Sequence, residues 1–411
     1  MVMQDGRTLK VRDVGDYFTK SQTLQNYHVG FGLYNLDEQE YVFKKNTHQF
    51  FTPASNTKLI TLYAAMHYLD DDMPWMNVFE MDGKLIHQPV GDPSFLHPDL
   101  ETEPRISNYF KNLSGDTVYL SLSHFKDVQY GSGWSWDDYR DYYHTEKSAF
   151  PIHSNLVKIK GEAIDPPWIP ATVVVDESLG KDYDRPWDKN DFIVSSVVEE
   201  HDIPFHINEQ VVEAYFTSQG KVLSMIDGAL PEKPNTIIRS LKADSLFSVF
   251  MKKSDNHIGE QLLLQASQQN LGYMNTEDFI DLASNNLYVD INQEMRWVDG
   301  SGLSRYNSFT PNSMIYVLNA FVTDFSIERM KRILPAGGVE GSTLGSWYSF
   351  DKPRVFAKTG SLRHIHNLSG YVQAKSGTWY AFSFMNNSFT VPSSAVKQEM
   401  ENVLSLVIER Y

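Results

Sequence analysis

The chain contains no cysteine. Disulfides, thiol catalysis and cysteine-ligated zinc or iron–sulfur sites are therefore excluded. Absence of thiols suits an oxidising compartment, although cytosolic proteins show it too. Nowhere do about 18 apolar residues run together, so a polytopic helical membrane protein is excluded. No basic block occurs either. With 36 Lys+Arg against 52 Asp+Glu, the net charge is −16. Such a chain is a poor polyphosphate ligand, and nucleic acid is not an expected partner. Internal repeats and low-complexity tracts are lacking. The first residues, Met1 to Arg7, have no apolar h-region, so no signal peptide is written there.

What is present is ordinary globular material. The 411 residues are 41% hydrophobic and 21% charged, enough for two to three domains or one large domain with an insertion. Residues 28–43 read as a strand pair: His28 to Tyr34 alternates, Asn35 to Gln39 turns, and Tyr41-Val42-Phe43 returns. A helix is expected from Ser55 to about Tyr68, with Leu59, Leu62, Tyr63, Met66 and Leu69 at helical spacing and Pro53 and Ser55 at its start. Residues 70–240 differ in texture. They are dense in Pro, Gly, Trp and Tyr, with strand-like pieces at Thr172–Val175 and Val194–Val198. Helices are expected at about 244–270, 276–288 and 311–322. Strands follow around 355–358, 368–374 and 379–384, and an amphipathic helix runs from Ser394 to about Arg410. The pattern predicts a mixed α/β domain split by a largely β insertion.

Three short motifs stand in order: Ser55-Asn56-Thr57-Lys58, Ser254-Asp255-Asn256 and Lys358-Thr359-Gly360. Ser-x-x-Lys alone carries little, since it also starts at Ser123, Ser178, Ser218, Ser349 and Ser394. Only Ser55 and Ser394 open a helix, and Ser394 follows the Lys-Thr-Gly. Taken singly, Ser55 would read as a helix N-cap. Together, the ordered trio is the mark of penicillin-binding proteins and class A β-lactamases.

The chemistry fits the spacing. Positions i and i+3 of a helix share a face, so Lys58 reaches Ser55. Serine is a weak nucleophile and needs a neighbouring base. A free lysine, with a pKa of about 10.4, stays protonated. Burial and a second cation would lower it, and Lys358 is the obvious second cation. Ser254 can relay a proton between Lys58, Lys358 and the leaving amine. Asn256 can orient the lysine and hold the substrate's peptide group. Thr359 and Ser361 hydroxyls with Lys358 form a receptor for a terminal carboxylate, and Gly360 leaves room for a substrate strand. The backbone N–H groups of Ser55 and Ser361 are the expected oxyanion hole.

Further segments carry a family likeness: Phe51-Thr52-Pro53-Ala54 before Ser55, Gly259-Glu260-Gln261-Leu262-Leu263 after the second motif, Asp299-Gly300-Ser301-Gly302-Leu303-Ser304-Arg305, and Gly91-Asp92-Pro93-Ser94. On these residues the chain resembles the class C penicillin-binding proteins of high molecular mass, the D-Ala-D-Ala carboxypeptidase/endopeptidase family of S13-type serine peptidases. The likeness covers essentially the whole chain. The wide gap between the first two motifs favours this family over β-lactamases and small carboxypeptidases. One departure is the short segment before Gly91, which lacks the family's glycine run.

The resemblance implies a penicillin-binding/β-lactamase-like transpeptidase fold, with helices around an antiparallel sheet. Residues 1–74 and 240–411 would form the catalytic domain and 75–239 an inserted, mainly β region. It implies a serine DD-peptidase that cleaves D-Ala-D-Ala, and by extension D-Ala-diaminopimelate cross-links, through an acyl-enzyme on Ser55. Peptidoglycan stem peptides and β-lactam antibiotics would be its partners. No cofactor and no metal are expected, and no integral membrane segment. Export to the periplasm or outer face follows, with a signal already removed. The stretch Gly131 to Tyr142 lies near the active-site mouth in the family. Trp134, Asp137 and Tyr142 would hold a stem-peptide ammonium by charge and cation–π contact, against the alternative of an aromatic packing cluster with surface acids. His364 and His366, alternating on one strand face, are read as structural or rim residues. Asp299–Gly302 lacks the lysine of a phosphate loop and is read as a supporting turn. The competing functions are a β-lactamase or esterase on the same fold, and a catalytically silent peptidoglycan-binding protein, which would have no need of the intact trio.

Overall fold

The computed structural model describes residues 6–180, 182–195, 197, 199–291 and 295–411, with side chains from residue 13 onward. The chain forms two compact units. One comprises 1–64, 247–255 and 283–411; the other comprises 65–246 and 256–282.

The first unit is built on a five-stranded antiparallel sheet. Its order is Val355–Leu362, Ile365–Gln373, Trp379–Asn387, His28–Asn35, Glu40–Lys45. Strand alternation assigns each face its cover. Phe31 and Leu33 point to one side, where they join Phe382 and Phe384 of the neighbouring strand, Phe18 of the helix Gly6–Lys20, and Met400, Val403 and Val407 of the helix Ser393–Arg410 in one core. The closing helix thus buries the stripe read from its spacing. On the opposite face, side chains give way to glycine. A Cβ on Gly32 would lie 2.5 Å from Ile315 Cδ1, and one on Gly30 would lie 2.8 Å from Pro311 Cγ. These glycines let the helix Pro311–Phe325 sit close against the sheet, and Tyr371 ties it down by donating to Leu318 O at 2.7 Å.

The helix Thr57–Tyr68 differs from its expected form in two ways. A 3-10 turn, Ala54–Asn56, precedes it, so Ser55 lies ahead of the α-helix proper. It is also buried on every side rather than on one: every residue from Thr57 to Met66 is buried, the polar Thr57, Lys58 and Thr61 included.

A second correction concerns 244–270, expected as one helix. The chain is helical over Ala243–Val249, passes through a π-turn at Phe250–Ser254, and breaks before Asn256–Leu271. Ser254 has φ +60° and Asp255 is extended (φ −64°, ψ 121°), so the hydrogen-bond ladder cannot continue. Buried apolar residues continue across this break, Leu246, Phe247 and Phe250 before it and Ile258, Leu262 and Leu263 after it.

The second unit is rich in strands between 72 and 242, as its texture suggested. A five-stranded mixed sheet runs Val222–Met225, Thr117–Leu120, Lys84–Pro89, Asp72–Met81, Thr236–Lys242. Beside it are a three-stranded antiparallel sheet and the parallel pair Thr172–Val175 and Asp191–Val194. The strand expected at Val194–Val198 lies earlier, ending at Val194; Ser196 and Val198 fall outside the described residues.

Candidate active site

Four of the expected residues meet within the first unit. Lys58, one helical turn beyond Ser55, places its Nζ 3.1 Å from Ser55 Oγ and donates to Ser301 O at 2.6 Å. Lys358 Nζ donates to Ser254 Oγ at 2.8 Å and to Thr359 O at 2.9 Å. Both lysines are 0% exposed. Burial, with Lys58 nearby, drives the Lys358 amine well below its ordinary range. The break at Ser254 aims this hydroxyl at Lys358, a contact that an unbroken helix would have redirected. Ser55 does not act as a cap: Pro53 occupies that position and no side chain caps the turn.

The turn that carries Ser55 is held on three sides, two of them through asparagine side chains. Asn56 donates from Nδ2 to Lys358 O at 2.8 Å. Asn367 Nδ2 donates to Thr52 O and Pro53 O, each at 2.9 Å, and Asn387 Oδ1 accepts from Thr52 N at 2.8 Å. From the third side comes the Asp299–Ser304 turn. The buried Asp299 carboxylate accepts from Gly302 N at 2.9 Å, Ser304 N at 2.6 Å and Asn307 Nδ2 at 2.7 Å. This turn presents Ser301 O to Lys58, as the supporting-turn reading required. Gly302 has φ +85°, and a Cβ there would fall 2.0 Å from Ala54 O.

Two readings of the third motif change. The strand expected around 355–358 runs on through the whole motif, as Val355–Leu362. Gly360 answers first to the Ser55 turn rather than to a substrate: a Cβ there would lie 2.3 Å from Pro53 O and 2.8 Å from Asn56 N. Thr359 is half-buried and Ser361 exposed, with Ser361 Oγ 2.7 Å from His366 Nδ1. His364 and His366 do not share a strand face. His364 sits in the hairpin turn with φ +65° and its Nδ1 is 2.9 Å from Phe389 O, while His366 is buried in the next strand.

The remaining expected residues lie in the second unit. Asn256 opens the helix Asn256–Leu271 and donates to Tyr143 O at 3.0 Å. A buried carboxylate lies next to the aromatic segment. Glu146 accepts from Tyr130 OH at 2.9 Å and from Ile207 N at 3.1 Å, and also bonds His206 Nδ1. Trp134, Asp137 and Tyr142 fall in three different surroundings. Trp134 packs its ring on His144 at 4.9 Å, and Tyr142 sets its exposed ring edge-on to Tyr143 at 5.4 Å. The exposed Asp137 lines a cleft of about 440 Å³ with Trp136 and Trp187, whose rings are 4.4 Å apart. Arg185 occupies the face of Tyr139 in that cleft, at 4.1 Å.

Ser55 against the buried Lys58, and the buried Lys358 against Ser254, lie in segments that match one family. Residues 11–177 and 214–409 match the D-Ala-D-Ala carboxypeptidase 3 (S13) family. The chain belongs to that family. It is a serine-type peptidase with the penicillin-recognising fold. Among curated relatives, it is 26% identical to the D-alanyl-D-alanine carboxypeptidase DacB of Haemophilus influenzae, over 88% of this chain and 86% of that protein. Among solved structures, penicillin-binding protein 4 (dacB) of Haemophilus influenzae superposes with a TM-score of 0.76 at 21% identity, covering 97% of this chain and 99% of that one. A predatory peptidoglycan endopeptidase of Bdellovibrio bacteriovorus shares the fold at TM-score 0.55 and 16% identity, over 93% of each chain.

For this S13 family member, the sequence reading missed the asparagines that pin the Ser55 turn. One signal was available: Asn is depleted in strands, yet Asn367, Asn386 and Asn387 sit in strands and are buried. The close approach at Gly360 gives a direct test. Gly360→Ala forces the turn and the Lys358 strand apart. A displacement of about 1 Å costs roughly 10²-fold in rate, so we expect penicillin acylation to fall by about that factor while circular dichroism stays unchanged. Near-normal acylation would show that strand and turn can separate without harm to the site.

Proposed function

We propose that this S13 peptidase works as a DD-peptidase on peptidoglycan stem peptides, with Ser55 as nucleophile. The observation that carries the proposal is the 3.1 Å approach of a fully buried lysine to the Ser55 hydroxyl. A buried amine beside another cation gives up its proton more readily than a free one. Neutral Lys58 accepts the Ser55 proton as Oγ attacks the carbonyl carbon of the penultimate D-Ala. The N–H groups of Ser55 and Ser361 receive the developing oxyanion. The C–N bond breaks, the departing D-Ala amine takes a proton delivered by way of Ser254, and an ester on Ser55 remains. Water then hydrolyses the ester and returns the serine. Lys358, Thr359 and Ser361 receive the substrate's terminal carboxylate.

Asn256 enters this proposal on the strength of its motif alone. So does the stem ammonium contact of Trp134, Asp137 and Tyr142. The same holds for the division into a catalytic part, 1–74 with 240–411, and an insertion, 75–239. The relatives named above are a D-Ala-D-Ala carboxypeptidase and a peptidoglycan endopeptidase, and both substrate ends, free D-Ala and cross-link, belong to the reading. Such a substrate places the enzyme outside the cytoplasm. No described helix is long and apolar enough to cross a membrane. β-Lactams are the expected covalent inhibitors; one of the matching Haemophilus structures is a β-lactam complex.

Mass spectrometry after exposure to benzylpenicillin tests the nucleophile. We expect a stable adduct on the peptide holding Ser55, and none in Ser55→Ala. An adduct retained in that variant would remove Ser55 from the role. Rapid turnover of benzylpenicillin without an adduct would favour a β-lactamase instead.

Lys58→Arg separates base from charge, because arginine keeps the cation and does not deprotonate. Acylation should drop by at least about 10²-fold, the scale of general base catalysis. A variant that acylates at the normal rate rules out Lys58 as the base.

Asp137→Asn removes charge and keeps shape. The specificity constant should fall by roughly 10- to 150-fold for peptides with a free stem ammonium, the worth of a charged hydrogen bond. N-acetylated peptides should be much less affected. An unchanged ratio between the two would assign the segment to aromatic packing.

A further inference from the structure

Ser361 and His366 face each other across the hairpin that carries the third motif. They are direct partners in the strand register, and Ser361 Oγ lies 2.7 Å from His366 Nδ1. The imidazole is 3% exposed, whereas Ser361 lies at the surface. Asn386 donates to His366 O at 2.9 Å and fixes the backbone beneath the ring.

A hydroxyl has one proton to give. A carboxylate only accepts, so Ser361 can bind one only by directing that proton at it. If His366 Nδ1 is an acceptor, the Ser361 proton is already committed and its lone pairs confront the substrate's negative charge. If Nδ1 carries the ring proton, the polarity reverses and the hydroxyl proton is free. The ring has a single proton to place. Burial, with Lys397 and Lys358 nearby, pushes its pKa down to about 3, so it is neutral across the working range.

We propose that His366 is a positioning residue for the substrate's terminal carboxylate: its Nδ1–H donates to Ser361 Oγ and leaves the Ser361 hydroxyl proton pointed at the substrate. The proposal rests on Ser361 being part of the carboxylate receptor. No proton is transferred and His366 never touches substrate. The donated hydrogen bond also polarises the hydroxyl, which strengthens the bond it makes onward.

The test compares specificity constants for a D-Ala-D-Ala peptide with a free terminal carboxylate and for the same peptide amidated. Wild type should prefer the carboxylate. Ser361→Ala and His366→Leu should each cut that preference about 10-fold, mainly through KM, the scale of one hydrogen bond to a charged group. The double variant should lose no more than either alone, because both remove the same contact. His366→Asn, whose side-chain N–H stands where Nδ1–H stood, should restore most of the preference. A merely structural histidine would not produce this pattern. Nitrogen-15 spectroscopy of the wild-type imidazole should show the Nδ1–H tautomer, a reading that depends on no variant folding.

A wild-type preference that survives in His366→Leu, an Asn variant no better than Leu, or an Nε2–H tautomer would each overturn the proposal while leaving the carboxylate receptor intact. A wild type with no preference would overturn the receptor reading of Ser361, and this proposal with it.

Discussion

Two lysine side chains buried in one unit are the constraint to which the rest of the site answers. An ammonium withdrawn from water loses several kcal/mol of solvation unless it is paired or gives up its proton. Lys358 has a serine hydroxyl and a carbonyl oxygen as hydrogen-bond partners, Ser254 Oγ and Thr359 O. Neither neutral dipole returns a full charge. Its amine is held well below the ordinary range first by burial and then by Lys58. The arrangement is poor for stability, and it favours a neutral amine at Lys358 over a second buried cation beside Lys58. A surface lysine next to a serine would be an ordinary cation.

Keeping two such amines dry needs backbone packed tightly around them, and the structure meets this with glycine and asparagine. Gly302 and Gly360 are contact surfaces: Ala54 O and Pro53 O occupy the space where their Cβ atoms would be. Through these contacts the Asp299 turn and the Lys358 strand close on the Ser55 turn from two sides. Asn367 and Asn387 then satisfy main-chain groups of Thr52 and Pro53, and Asn56 ties the turn to Lys358 O. Ala54 has φ +50°, an uncommon setting for a residue with a Cβ, and lies directly before Ser55.

Much of this was legible in the sequence, for reasons that can be named. Strand alternation at 28–35 and helical spacing at 393–410 record burial, and burial is local in its pattern. The three motifs are local too, since Ser55 and Lys58 need only one helical turn to meet. The break at Ser254 was not legible, because apolar spacing continues on both sides of it and the cause is a backbone setting at one residue. Nor was the role of Gly360, which depends on Pro53 and Asn56, hundreds of positions away. His366 was noted but placed wrongly: alternation put it beside His364, whereas a two-residue turn at 363–364 removes His364 from the strand. The Trp134 to Tyr142 segment was recognised as aromatic and acidic, yet Tyr139 within it packs on Arg185 and meets His206, partners distant in the chain that no local pattern announces.

The edge of the sheet explains why the third motif lies within a strand. Val355–Leu362 is an edge strand, and its first half is capped by the chain at 335–337: Gly337 N donates to Val355 O and Ala357 N to Pro335 O, at 2.9 and 3.0 Å. Residues 355 and 357 therefore turn their backbone groups away from the sheet. By the two-residue period of a strand, 359 and 361 do the same, while Lys358 and Gly360 turn theirs toward the neighbouring strand. The cap ends before Thr359. Beyond it the strand offers outward N–H and C=O groups of the kind an extended peptide adds to. The Ser361 N–H, assigned to the oxyanion hole, is one of them. Parity of the strand thus separates two roles: on Lys358 the backbone faces the sheet and the side chain reaches Ser254, and on Ser361 the backbone turns outward while the hydroxyl meets His366 Nδ1.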